Sequence, residues 1–552
     1  MSIKPPLTDL PIGTSDSGFY RGFSQIVTIS SKLMIGGLVV WAIAFPEQSG
    51  AVLNSINGFI LSSFGAWYIW TVALFVLCCI ALAIWPTAGK LKLGQPGDSP
   101  EFSNFSWFSM MFGAGIGVGM LTWAVAEPIY HWNNNPEVIQ GLTNGGAADN
   151  IRMAYKWSFL HWGLGAWACY AIAGLALGFF SYRRGLPLTM RSSLTPLFGA
   201  RLSGSIGHVV DIVAVVATIL GVAQTLGFGV EQFVSGLTRI GIGGLTNEAG
   251  TANTAGVIVA ILVIMLASTA SALSGVGKGI KWLSNINMVL SIALLSFFLL
   301  FGSTFFGLQA LVVGLWDYLT ALPDMMFRVW TGDGTPDSVA TKLEGWQGGW
   351  SVFYWAWWIA FAPFVGLFLA RISKGRTIRE FVLGAMIVPS LMCFVWFTWA
   401  GGTAIDLELY GGAGGQIATA PDGDKIFAMV QYMLSPWVGW AMSVMIVVLL
   451  MTYLVTTADS AVLIVNTINA AGDEGPKARP HIIFWGVALG AVVTALLLVG
   501  GLKAIQTAMV IGALPFSVVM VLQCAALIKA IYNDGRREQA GLATTITQEP
   551  AE

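Results

Sequence analysis

The chain has 552 residues, 56% of them hydrophobic and only 10% charged, whereas soluble globular proteins carry about 25% charged residues. A water-facing surface cannot be assembled from that composition, so a polytopic, all-α membrane protein is expected. The 27 Lys and Arg nearly balance 28 Asp and Glu, which leaves no basic face for nucleic acid.

The chain begins with a polar tail, 1–25, bearing Pro5, Pro6, Asp9, Gly13 and Asp16. It lacks the apolar core and small-residue cleavage site of a secretory leader, so the first span is expected to direct insertion. Apolar stretches bounded by charges or Gly/Pro/Asn clusters then predict twelve transmembrane helices: 26–46, 64–86, 106–132, 153–182, 206–236, 254–273, 282–308, 347–370, 381–403, 436–468, 481–500 and 506–532. Trp282 to Trp316 contains neither a charge nor a histidine, and it is expected to run on into a tilted or interfacial segment. The five cysteines, Cys78, Cys79, Cys169, Cys393 and Cys524, lie in apolar runs with neither disulfide nor metal-ligand spacing.

If successive spans alternate in direction, 20 Lys and Arg collect on the side of the N-terminus and 7 on the other. The positive-inside rule then puts both termini in the cytoplasm. The two longest polar connections, about 309–346 and 404–435, fall outside; turns such as Gly411, Gly412, Gly414 and Gly415 read as loops, not domains.

Span 3 carries Gly113, Gly115, Gly117 and Gly119 at every second position. Each glycine costs a helix about 1 kcal/mol relative to alanine, so the run predicts either close helix packing or an unwound stretch facing a ligand or ion. Span 8 carries Pro363, which removes a backbone hydrogen bond and predicts a second break. If spans 3–7 and 8–12 are inverted five-helix repeats, these two interrupted helices hold corresponding places, and such pairs mark the midplane binding site of secondary transporters.

Span 4 supplies Trp162, Trp167 and Tyr170. At about 100° per residue, Trp167 lies about 140° and Tyr170 about 80° from Trp162, which puts the three rings on one broad face. Together with Trp357 and Trp358 of span 8 they could cage a cation that donates no hydrogen bonds, quaternary ammonium above all. The alternative for any single ring is an anchor at the membrane interface. Ionisable residues within spans, Glu127, His161, Asp211, Glu231 and Asp459, are functional candidates or satisfied structural groups.

The run from Phe353-Tyr354-Trp355-Ala356-Trp357-Trp358 to Arg371-Ile372-Ser373-Lys374-Gly375-Arg376-Thr377-Ile378-Arg379-Glu380 closely resembles the signature of the betaine/carnitine/choline transporter family. The glycine run ahead of Glu127-Pro128, His161-Trp162-Gly163, and Lys278-Gly279-Ile280 leading to Ser284-Asn285 resemble the same family. The resemblance implies a LeuT-like 5+5 inverted repeat preceded by two extra helices, assembled as a homotrimer. On it, 26–105 holds the two extra helices, 106–308 the first repeat, 309–346 an extracellular loop, 347–532 the second repeat and 533–552 a short acidic tail.

It implies a substrate-binding aromatic box of Trp162, Trp167, Tyr170 and Trp358, with Trp357 and Phe361 along the path and Gly115 and Ile116 beside it. It implies a Na⁺ site from Gly113 and Ile116 carbonyls with Tyr453, Thr456 and Thr457, and a second Na⁺ site at Thr218 and Phe364 that Val222, lacking a hydroxyl, puts in question. Many betaine carriers have methionine in place of Ile116 and tryptophan in place of Phe361, so the onium substrate stays open among glycine betaine, choline, carnitine and dimethylsulfoniopropionate.

No cofactor beyond Na⁺ as coupling ion is implied, in the (inner) membrane of a cell. The alternative is a sodium-independent exchanger, in which a fixed cationic side chain and a methionine sulfur replace the ions; Val365 lacks that sulfur. A membrane enzyme is disfavoured because the four histidines are scattered, and a channel because an occluding cage is not a pore. The family's osmosensing members end in a long basic helix, whereas the segment after Tyr532 here has net charge −2 and little helix is expected in it, which predicts uptake insensitive to osmolality.

Overall fold

A computed structural model describes residues 5–115, 117–274 and 281–545. Among these, eleven helical segments are long and apolar enough to cross a bilayer and no β-strand forms. Hydrocarbon admits only segments that satisfy their own backbone, and the protein is an all-α, multi-pass membrane protein. The length-and-composition count is eleven because one expected span is split into two short helices, the last two are joined in one helix, and a helix forms where a loop was expected.

The helices, in chain order, are α1 (Gln25–Ala44), α2 (Pro46–Ile84), α3 (Asn104–Gly115), α4 (Val118–Asn133), α5 (Ile151–Trp162), α6 (Leu164–Gly178) and α7 (Ser205–Arg239). They continue as α8 (Thr254–Ser274), α9 (Lys281–Phe301), α10 (Thr304–Phe327), α11 (Phe353–Ile372), α12 (Ile378–Trp396), α13 (Pro436–Asn469) and α14 (Arg479–Gln539). α5, α6 and α11 are buried along nearly their whole length, whereas α1, α8, α9 and α10 expose apolar side chains such as Leu33, Leu266, Leu300 and Phe305. Lipid-facing helices therefore surround a central group in which α6 packs along α11, and α7 lies against α11, α13 and α14.

Several expectations are corrected. α2 starts at Pro46 rather than near residue 64, because Pro suits a first helical turn and nothing between there and the apolar run stops the helix. The connection read as a loop at 309–346 contains most of α10 and a helix at Val339–Gln347; the one at 404–435 contains Lys425–Met433. α11 runs unbroken through Pro363, because one lost hydrogen bond does not end a helix gripped from both sides: a Cβ on Gly221 would stand 3.0 Å from the Ala360 carbonyl carbon, and one on Gly366 2.6 Å from the Ala173 Cβ. Its irregularity falls earlier, in the π turn Gly348–Val352.

α14 spans 61 residues with non-helical angles at Gly500 and at Gly501, whose φ is +63°. His481 near its start contacts the Phe19 carbonyl at 2.9 Å, and Asp534 near its end pairs with Arg183 and Arg184. Both of its ends thus reach the face that carries the two termini, and the chain reverses at the glycine pair. The segment after Tyr532 is helical to Gln539, against expectation, because Asp534 is buried between the two arginines and the Arg537 Nε caps the Ala543 carbonyl at 2.7 Å.

The Arg371–Glu380 motif is a clamp on that same face. Leu93 N donates to the Arg376 carbonyl, Gly375 N to the Leu93 carbonyl and Ile378 N to the Leu91 carbonyl, each at 2.8 Å. Gly375 has φ +83° and a Cβ there would lie 2.3 Å from the Ser99 carbonyl oxygen, so only glycine fits. The Arg376 guanidinium stacks on Trp107 at 3.9 Å and donates to Asn104 Oδ1 and the Phe102 carbonyl at 2.8 Å each, fixing the start of α3. Arg376→Ala is expected to lower the apparent melting temperature of the detergent-purified protein by several degrees. Lysine should not rescue it, because its point charge lacks the planar fork; equal stability of wild type and both variants would contradict the clamp.

Candidate functional site

The site forms where α5 and α6 part. Gly163 takes φ −94° and ψ −142°, leaving the last carbonyls of α5 and the first N–H groups of α6 without helical partners. Trp358 Nε1 donates to the freed His161 carbonyl at 2.9 Å, and Leu164 N donates to the Tyr318 hydroxyl at 3.0 Å. A Cβ at position 163 would lie 2.5 Å from the Phe159 carbonyl oxygen and 2.8 Å from the Phe394 ring. This break was not anticipated, and it removes the continuous helix assumed when Trp162 was placed on one face with Trp167 and Tyr170. The rings meet because two helices converge on one cavity.

That cavity measures about 540 Å³. Trp162, Trp167, Tyr170, Trp357, Trp358 and Phe361 line it on one side. Consecutive rings stand nearly perpendicular: Trp162 and Trp358 at 5.0 Å and 72°, Trp358 and Tyr170 at 6.0 Å and 79°, Tyr170 and Trp167 at 5.4 Å and 78°. Trp357 stacks on Trp358 at 4.9 Å, and its Nε1 donates to Thr225 Oγ1 at 3.2 Å. The glycine run admits this arrangement, because a Cβ on Gly119 would lie 2.9 Å from the Trp357 ring and 3.3 Å from that of Trp162.

The opposite wall is polar. α13 contributes Tyr453, Thr456, Thr457 and Ser460, and α9 contributes Ser284, Asn285 and Asn287. Asn287 Nδ2 donates to Thr456 Oγ1 at 3.1 Å, and Ser291 bonds the Tyr453 hydroxyl at 2.6 Å. None of the described lining residues carries a formal charge. Such a site can hold an onium head against π faces and offer oxygen ligands to a hard cation or donors to a carboxylate.

Phe364 also lines the cavity, whereas Thr218 lies off it and donates to the Ala214 carbonyl of its own helix at 2.8 Å. Gly113 and Gly115 lie at the end of α3, beside the break, and Ile116 lies outside the described residues. Of the ionisable residues within spans, Asp211 pairs with Arg191 at 2.6 Å and Glu231 accepts from Ala252 N at 2.8 Å. Asp459 accepts from Ser271 at 2.6 Å and from the cavity-lining Ser460 at 3.1 Å. Glu127 and His161 bond each other behind the aromatic wall at 2.7 Å. Sequence reasoning missed Asn287 and Thr225, whose one signal was a polar side chain within an apolar span, and the buried Tyr318 and Tyr354.

The family model described as BCCT, betaine/carnitine/choline family transporter, matches residues 26–536. The chain is 38% identical over 518 residues to a probable glycine betaine transporter of Desulfitobacterium hafniense (strain Y51), covering 93% of this chain and 98% of the relative. It is 37% identical over 499 residues to the glycine betaine transporter OpuD of Bacillus subtilis (strain 168), covering 90% and 92%. It is 35% identical over 521 residues to the osmo-independent choline transporter BetT1 of Acinetobacter baylyi, covering 94% and 95%. The chain is thus a transporter and not an enzyme, and it belongs to the betaine/carnitine/choline transporter family.

Proposed function

We propose that the protein is a secondary active importer of a small onium osmolyte or nutrient, of the glycine betaine, choline, carnitine or dimethylsulfoniopropionate type, driven by Na⁺ symport with alternating access. The observation that carries this reading is the uncharged cavity with perpendicular aromatic rings on one wall and hydroxyl and amide groups on the other. Na⁺ would take oxygens of Tyr453, Thr456 and Thr457 with backbone carbonyls near the α3–α4 break. A sodium-independent exchanger needs a fixed cation in place of the ion, and no described lining residue supplies one. The architecture is read as twelve membrane helices in a LeuT-like 5+5 repeat after two extra helices, in a homotrimer of the inner membrane. Both termini are read as cytoplasmic, the side given most of the Lys and Arg.

Trp358→Ala and Trp162→Ala are expected to fold and to bind glycine betaine or choline at least several-fold more weakly, since a desolvated cation–π contact is worth about 2 kcal/mol. Gly119→Ala should weaken binding in the same direction by displacing both rings, with Gly37→Ala, which meets nothing within 4 Å, as control. Tryptophan-fluorescence titration measures all four, and unchanged affinity in both tryptophan variants would remove the aromatic box.

Uptake into proteoliposomes should require Na⁺ and fall in Thr456→Ala and Thr457→Ala, because a dehydrated ion loses a ligand it cannot replace. Identical wild-type uptake with and without Na⁺ would end the symport reading. With its acidic tail docked through Asp534, the protein should transport at a rate that changes little with external osmolality. A steep rise that disappears on deleting residues 533–552 would show instead that the tail is a sensor.

A further inference from the structure

Glu127 is fully buried on α4, with its carboxylate one indole behind the cavity. Its Oε2 accepts from Trp162 Nε1 at 2.6 Å and from the Tyr354 hydroxyl at 2.5 Å. Its Oε1 bonds His161 Nδ1 at 2.7 Å and His131 Nε2 at 3.3 Å. His161 is oriented in turn by Ser351 Oγ on its Nε2 at 3.0 Å and by stacking on Tyr354 at 4.8 Å. The two carboxyl oxygens hold all four contacts, two on each.

Glu127, His131 and His161 are residue types that also bind zinc. Two ligands at about 2.0–2.1 Å in a tetrahedral site stand roughly 3.3 Å apart, however, and the 2.7 Å spacing of His161 and Glu127 is that of a hydrogen bond.

The cavity has no formal charge on its described lining, and two carboxylates stand one side chain behind it: Asp459 behind Ser460 on the polar wall and Glu127 behind Trp162 on the aromatic wall. We propose that Glu127 is a positioning and specificity-determining residue, which fixes the Trp162 wall of the aromatic box and places a fixed negative charge behind it that favours an onium of net positive charge over a zwitterion. The inference rests on the aromatic box binding the onium head. An anion bonded to the indole N–H pushes electron density into the ring and strengthens the π face toward a cation, and its field acts directly across a poorly screened interior. For a zwitterion, attraction of the onium and repulsion of its carboxylate partly cancel.

The test compares binding of choline, glycine betaine and 3,3-dimethylbutan-1-ol, the uncharged isostere of choline, to the purified full-length protein by calorimetry. Glu127→Gln keeps the shape and removes the charge. It is expected to weaken choline about tenfold, glycine betaine by less than about threefold, and dimethylbutanol not measurably. Equal losses for the three probes would mean that Glu127 only holds the wall in place, and no loss for any would mean that its charge is not felt; either overturns the proposal.

Should Glu127→Gln fail to fold, Tyr354→Phe withdraws one donor from Oε2 and makes a negative charge there harder to hold in a buried site. The choline-over-betaine preference should then fall, and an unchanged preference overturns the proposal. Trp358→Ala removes a ring of the box and leaves the Glu127 carboxyl group in place, so it tests the box itself. If it leaves choline affinity intact the aromatic box itself fails, whereas if it abolishes binding while Glu127→Gln shows no discrimination only the role of Glu127 fails.

Discussion

A helix that stops and restarts inside hydrocarbon leaves backbone groups that lipid cannot satisfy, and the centre of this protein is organised by how those groups find partners. At Gly163 the carbonyl end is taken by the Trp358 indole and the N–H end by the Tyr318 hydroxyl. One of these partners is itself a wall of the cavity. The bond that makes the break tolerable is therefore the bond that aims a ring of the cavity, so backbone satisfaction and the shape of the cavity wall depend on the same contact. The glycines that allow close approach of the aromatic side chains extend this arrangement to Trp162 and Trp357.

Acidic and basic side chains are kept off the described lining of the cavity, and two carboxyl groups lie directly behind it. A formal charge on the lining would pair with one end of a zwitterion and tether it; hydroxyls, amides and π faces bind without tethering, which suits a carrier that must release what it binds. The two carboxylates behind the walls are satisfied by fixed donors, Ser271 and Ser460 for Asp459 and the Trp162–Tyr354–histidine set for Glu127.

Composition alone made the helical, multi-pass fold legible, and the resemblance around Phe353–Glu380 pointed to the family. The aromatic residues were legible as a set because so many rings near mid-span exceed what interface anchoring needs. The geometry that joins them was not legible. Helical periodicity assumes a continuous helix, and Gly163 and Gly165 within an otherwise apolar span read equally well as close-packing positions, so they do not single out a break at Gly163. Pro363 misled in the opposite direction, since a local rule predicted a break that packing against α6 and α7 overrides. The connection holding α10 read as a loop because its acidic residues hid an apolar face, and the helical tail escaped notice because what stabilises it is a distant pair, Arg183 and Arg184, far from it in sequence.

The clamp built around Arg376 has a mechanical consequence. It joins the segment that follows α11 to the first residues of α3, through two hydrogen bonds and a stacked indole. Two elements far apart in sequence are thereby made one lever at the terminus-bearing face. Any displacement of the end of α11 at that face has to carry α3 with it, and the extended backbone of Gly117 at the start of α4 is where α4 can stay behind.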